Sequence, residues 1–330
     1  MRTSTAPSLS STRRSTLLRV AGWLVAAVVI VYVGKNLGDG LLELREQPMP
    51  DNPRWGMIAL SGVLFLAAHA VLVQTWRSVL ACWDARLPFW SAARIWSVSN
   101  LGKYVPGKIW QIGAMSAMSC ELGISPVAAS GSAILSTLVN VIAGFVIAIV
   151  SGRAVLERTR PGWGDVATLI VVIAGLGLVI APFLVPRLAP VAARLTGRPL
   201  QTTLPVRAVV YCLVGNLVAW IVYGAAFRLL VFGIMGVATG GYLEYLAAYT
   251  ISYLVGYLAF FAPAGLGVRE KFMLTILPVA GLATVPQAAL ITVVSRIWLT
   301  LLEVTPGFLF WAHHRSRRRS LTTDPSDVPT

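Results

Sequence analysis

Charge is what this sequence lacks most. Of its 330 residues only 12% are Asp, Glu, Lys or Arg, about half the share found in soluble domains. The shortage is concentrated. Trp55 to Trp76, Ile124 to Gly152, Val166 to Val185 and Ala208 to Phe227 contain no formally charged residue at all. Each run is long enough to cross a hydrocarbon core about 30 Å thick, which takes roughly 20 apolar residues. Mean hydropathy is +0.74, and a water-soluble globular domain is excluded.

Acidic residues are the scarcer sign, 13 against 27 basic ones, for a net charge of +14. On a soluble chain that balance would suggest nucleic acid. Here the cations fall in short loops between apolar runs, which is the positive-inside pattern of a membrane protein, so no nucleic-acid partner is expected. Cysteine is also sparse. Cys82, Cys120 and Cys212 have neither metal-ligand spacing nor an even-numbered framework. No Ser/His/Asp, Cys/His or metal-ligating constellation stands anywhere in the chain, so no catalytic residue, metal or cofactor is assigned and no enzyme is expected.

The N-terminal residues 1–16 are rich in Ser and Thr and carry Arg13 and Arg14. The apolar run from Leu17 to Val33 follows without a small-x-small cleavage site and reads as an uncleaved first span. Hydropathy predicts an all-α, polytopic protein with about eight crossings, near 17–34, 55–75, 125–150, 165–186, 208–232, 243–262, 271–284 and 286–311. The seventh is short enough to be a half-helix or re-entrant segment. With the N-terminus inside, Lys and Arg divide 19 to the cytoplasmic side and 7 to the outer side. Both termini are therefore expected in the cytoplasm of a plasma (inner) membrane protein. A single transmembrane domain over 17–312 would end in a basic, disordered cytoplasmic tail over 313–330 beginning "HHRSRRRS".

Between the second and third spans, Phe89, Ala93 and Trp96 fall at helical spacing after Pro88, and Trp76, Trp83, Trp90 and Trp110 crowd the same region. This pattern predicts an amphipathic helix lying in the headgroup plane. It leads into "GKYVPGK", Gly102 to Lys108, a literal G-x-x-x-x-G-K. A nucleotide-binding P-loop does not fit. Ile109 stands where Mg²⁺ requires a Ser or Thr hydroxyl, and no buried strand precedes the loop. Pro106 also removes an N–H that would cradle phosphate. Two other readings stay open on these residues: a broken segment whose glycines and lysines bind an anionic headgroup, or a plain bend whose lysines snorkel.

A second motif, "PAGLGVREK" at 263–271, again joins Pro, paired Gly and cations. Trp55 to Pro106 is 51 positions and Arg207 to Pro263 is 56. The near-match suggests two four-span halves, 17–186 and 207–312, each starting inside. The last span carries Arg296 and, seven positions on, Glu303 on nearly the same helical face. A charge near the bilayer centre costs about 2.5–3.5 kcal/mol and calls for a partner. Glu270 is the candidate for Arg296, and Arg269 for Glu303. These ion pairs can be structural or can line a headgroup pathway. His69 reads as a hydrogen-bonded bundle residue. Tyr242, Tyr245, Tyr249 and Tyr253 form a stripe that reads as a packing seam, with a path lining as the lesser alternative.

The segments 102–111 and 263–271, with Arg296, resemble the two signature regions and last span of the lysylphosphatidylglycerol synthase transmembrane-region family, described as flippase-like. The resemblance covers roughly residues 15–312. It implies a multi-span lipid-handling module without the cytoplasmic lysyltransferase domain. On that footing the expected function is translocation of an anionic phospholipid, an aminoacylated phospholipid or a polyprenyl-phosphate-linked glycolipid. The expected headgroup site is Gly102, Lys103, Tyr104, Pro106, Gly107, Lys108, Gly265, Gly267 and Arg269, with Glu270, Arg296 and Glu303 as pathway or gate. The alternative is a non-transporting membrane partner of a lipid-modifying or glycosyltransferase enzyme.

Overall fold

The computed structural model describes residues 52–104, 109–159, 205–259 and 262–320, with isolated positions at 31 and between 162 and 187. The expected spans at 17–34 and 165–186 fall almost wholly outside the described residues, as do the N-terminal tail and residues 321–330.

The described chain is helical. Helix α1 spans Trp55–Ala81, α2 Phe89–Asn100, α3 Ile109–Cys120 and α4 Pro126–Thr159. Helix α5 spans Val206–Met235, α6 Tyr242–Leu258, α7 Val268–Val279 and α8 Val285–Ser320. Prolines and glycines set the ends. Pro88 and Pro205 cap α2 and α5, and Gly236, at φ 74°, closes α5. Four of these helices, α1, α4, α5 and α8, are long and apolar enough to cross a membrane. Their outer faces remain apolar: Val63, Leu138, Val214 and Leu309 are more than half exposed. Such a surface suits hydrocarbon as its solvent. Helix α8 continues to Ser320, so helix occupies part of the tail expected to be disordered from residue 313.

Helices α1 and α5 pair antiparallel. The Arg54 amide donates to the Gly233 carbonyl at 2.7 Å at one end, and Val79 packs with Ala208 and Cys212 at the other. The short helices form two hairpins against this pair. The first opens at the C-terminal end of α1, where the Arg77 guanidinium donates to the Leu87 carbonyl at 2.6 Å. Helix α2 then climbs until Trp96 packs against Trp76 and His69, ring centroids 6.2 and 6.4 Å away. His69 lies midway along α1. Helix α3 returns, bringing Met115 back to a core with Leu80 and Leu87.

The second hairpin opens at the opposite end of the pair. There the Thr239 hydroxyl, before α6, donates to the Leu282 carbonyl, after α7, at 2.8 Å. Helices α6 and α7 lie together, with Ser252 against Met273 and Gly256 against Arg269. The turns at the two hairpin tips, Leu101–Tyr104 and Pro263–Gly265, touch each other in the middle of the bundle.

One sequence expectation is corrected here. The helix at 89–100 does not lie across the bundle end as an interfacial helix. Ala92 and Ile95 are fully buried, and the Trp96 indole serves the interior. Among the described residues, two runs of helices share one pattern, 55–159 and 206–320. Each reads long, short, short, long: 27, 12, 12 and 34 residues, then 30, 17, 12 and 36. Their first helices run in opposite directions, and the last helix of each unit packs on the other unit's hairpin, α4 on α6 and α8 on α2. This is an inverted repeat.

Candidate functional site

The hairpin tips bring cations into the bundle centre, and backbone geometry places them there. Gly102 sits so close to the second hairpin arm that a Cβ would lie 2.8 Å from the Gln111 amide nitrogen. Gly265 has φ +73°, and a Cβ there would meet the Gly256 backbone at 2.7–2.8 Å. Between them Ala264, at φ 49°, holds a left-handed conformation that a non-glycine residue adopts at a cost. Its carbonyl accepts from Arg296 Nη1 at 3.3 Å. The strained tip therefore offers α8 an acceptor.

Around these tips, five charged side chains converge. Lys103 forms a direct ion pair with Glu303, and the Tyr104 hydroxyl donates to the same carboxylate at 3.3 Å. Arg296 Nε lies 3.2 Å from Glu270 Oε1, attracted by charge although the two are not aligned as a hydrogen bond. Arg269 lies over the rings of Tyr249 and Tyr253, 5.5 and 5.2 Å from their centroids. Pairing of Arg296 with Glu270 agrees with the sequence expectation. Pairing of Arg269 with Glu303 does not: Lys103, about 200 positions away, takes that carboxylate, and Arg269 takes aromatic faces instead. Lys103 itself is interior, its side chain 14% exposed.

The cluster is unbalanced. Lys103, Arg269 and Arg296 bring three positive charges, and Glu270 and Glu303 two negative ones. Arg269 and Arg296 are only 7% and 9% exposed, yet Nη2 of each has no hydrogen-bond partner among the described residues. A buried donor left unsatisfied costs about 1–3 kcal/mol, and more when charged. Both arginines line a cavity walled also by Lys103, Gly265 and Glu303. Buried guanidinium donors without a partner, in a cluster with one surplus positive charge among the described residues, are groups that an anion could engage.

A second cavity shares Lys103, Gln111, Tyr253, Tyr257 and Glu303 with the first. Trp96, Trp220, Tyr223, Tyr249, Tyr253 and Tyr257 supply its aromatic wall. Asn100, Ser136 and Asn140 supply polar atoms beside them. His69 is buried here, and its Nε2 has no hydrogen-bond partner among the described residues, contrary to the expectation of a bonded bundle residue. Within the tyrosine stripe, Tyr245 packs in the core, whereas Tyr249 and Tyr253 line the cavity.

Of the remaining expected site residues, Gly267 caps α7 at φ 78°, exposed and outside both cavities. Pro106, Gly107 and Lys108 lie outside the described residues. Trp220, Asn100 and Asn140 went unnoticed in the sequence, because isolated aromatic and amide residues in apolar runs carry no periodic signal, and Trp96 reads there only as part of an interfacial helix. Compared with known proteins, the chain matches no family model and no curated protein sequence.

Proposed function

We propose that this chain moves a lipid bearing an anionic headgroup between the leaflets of a plasma membrane, without acting as an enzyme. The candidate lipids are an anionic phospholipid, an aminoacylated phospholipid and a polyprenyl-phosphate-linked glycolipid. The observation that carries this reading is the pair of buried arginines, Arg269 and Arg296, which line one cavity and each keep an N–H donor without a partner among the described residues. The surplus positive charge of their cluster suits one negative charge, as on a phosphodiester or carboxylate.

The setting supports a lipid over a free ion. The site lies between two hairpins that enter from opposite ends of a bundle with apolar outer faces. Inverted repeats meeting at a central site are the architecture from which alternating access arises in membrane transporters. On this reading α1, α4, α5 and α8 cross the bilayer, and α6 and α7 form a re-entrant pair rather than the sixth and seventh of eight crossings. Their lengths, 17 and 12 residues, correspond to about 26 and 18 Å at 1.5 Å per residue. The C-terminus stays on the cytoplasmic side under either arrangement.

The test is leaflet exchange of labelled lipids in vesicles containing the purified full chain. Phosphatidylglycerol, lysylated phosphatidylglycerol and a polyprenyl phosphate should be compared with zwitterionic phosphatidylcholine. Exchange is expected to be selective for at least one anionic lipid and to be lost in folded Arg269→Gln/Arg296→Gln. Absence of exchange with every lipid would overturn translocation and favour the membrane-partner role.

A further inference from the structure

Beside the anion site lies a cavity whose chemistry differs from it. Its wall combines aromatic rings, Trp220, Tyr253 and Tyr257, with the side-chain amides and hydroxyl of Asn100, Ser136 and Asn140. Tyr253 and Tyr257 stack nearly parallel, with centroids 6.4 Å apart and planes within 8°. His69 Nε2 has no hydrogen-bond partner among the described residues, and Ser136 Oγ lies beside the Cys212 thiol. Both side chains are more than nine-tenths buried.

Aromatic walls recognise two kinds of polar ligand. An ammonium is attracted to ring faces. A sugar ring stacks its C–H face on them and exchanges hydrogen bonds with amides and hydroxyls, which both donate and accept. The charges here discriminate between the two. Arg269 already covers the faces of Tyr249 and Tyr253, and Lys103 lines both cavities. Glu303, the carboxylate that lines this cavity, is engaged by Lys103, and Glu270 stands beside Arg296 outside the lining. A second cation entering this cavity would meet the like charge of Lys103, an unfavourable arrangement at low dielectric. An uncharged, hydroxyl-rich group meets no such penalty and finds donors and acceptors waiting.

We propose that the lipid headgroup is a phosphodiester joined to an uncharged polyhydroxylated ring of the sugar class, with the phosphate at Arg269 and Arg296 and the ring in the Trp220–Tyr257 cavity. The proposal rests on the anionic-lipid reading above and narrows it. The shared lining residues, Lys103, Gln111, Tyr253, Tyr257 and Glu303, put the two cavities within reach of one headgroup. An aminoacylated headgroup is disfavoured by the same geometry.

The experiment reads the ligand-dependent thermal midpoint of the full chain in detergent. Its probes are dioctanoyl phosphatidylinositol, dioctanoyl phosphatidylglycerol, the lysylated form of the latter and free inositol 1-phosphate. Phosphatidylinositol should reach its half-maximal shift at a concentration about tenfold below the other two lipids, and Tyr257→Leu should abolish that preference while Tyr257→Phe keeps it. Matched monodispersity and matched ligand-free thermal midpoints control for the folding of both variants. Free inositol phosphate matching the lipid would place recognition in the headgroup alone and overturn the lipid as the ligand. Equal or tighter response to the lysylated lipid would overturn the sugar-class proposal while leaving the anion site standing. No response to any anionic lipid would overturn both.

Discussion

Glu303 carries more of the site than any other single residue. It sits on α8 and receives Lys103 and Tyr104 from the first hairpin, so one carboxylate fixes the tip of one repeat to the last helix of the other. Breaking a buried ion pair by removing one partner leaves an uncompensated charge and costs about 3–5 kcal/mol. Glu303→Gln is therefore expected to lower stability in detergent by that amount, measured by thermal or chemical unfolding. Lys103→Met/Glu303→Leu, which removes both charges, should recover most of it. A single-variant loss below about 1 kcal/mol, the size of an exposed pair, would show that the Lys103–Glu303 contact is not buried as described. The chemical need for partners was legible in the sequence, since Arg296 and Glu303 stand in an apolar span. The identity of the partners was legible only in part. Glu270 follows from its neighbouring motif, but Lys103 reaches Glu303 through a tertiary fold that separates them by about 200 positions.

At the scale of elements, the hairpin tips depend on backbone that ordinary residues resist. Gly265→Ala places a Cβ against the Gly256 main chain at 2.7–2.8 Å and keeps a positive φ. The backbone of α6 must shift to admit it, so a loss above the usual 1–3 kcal/mol for overpacking is expected. Gly267→Ala, also at positive φ but with open space around it, should cost only the conformational penalty of about 1–2 kcal/mol. Comparing the two thermal midpoints separates crowding from dihedral strain, and equal losses would contradict the close approach of α6 to the tip. Both motifs announced their breaks through Pro and Gly spacing. Their depth was not legible. A 12-residue helix with one arginine and two tryptophans has the same composition whether it lies at an interface or enters the bundle. Only the packing of Trp96 on His69 and Trp76 separates the two cases.

For the whole molecule, the inverted repeat makes a statement about sides. The first hairpin and the second open at opposite ends of the α1–α5 pair, so in the proposed arrangement the loops joining them face opposite compartments. Leu122, after α3, and Val237, before α6, are 43% and 63% exposed. In a background with Cys82, Cys120 and Cys212 replaced by Ser, Leu122→Cys should react with an impermeant thiol reagent from the cytoplasmic side only, and Val237→Cys from the outer side only. Reaction of both from one side would contradict the inverted arrangement. The near-equal motif spacings, 51 and 56 positions, contained the repeat but not its inversion. Direction depends on which segments cross, and hydropathy alone counted α6 and α7 as two crossings.

The account stands or falls on whether the two hairpin tips hold an anionic headgroup. The most direct measurement is the lipid that stays with the protein. Wild type and Arg269→Gln/Arg296→Gln should be purified from the same membranes, matched for monodispersity, and their bound lipids quantified by mass spectrometry. The account predicts that wild type is enriched in a phosphate-bearing anionic lipid over the bulk membrane, and that the double variant retains the bulk composition. Identical lipid profiles in the two proteins would contradict it.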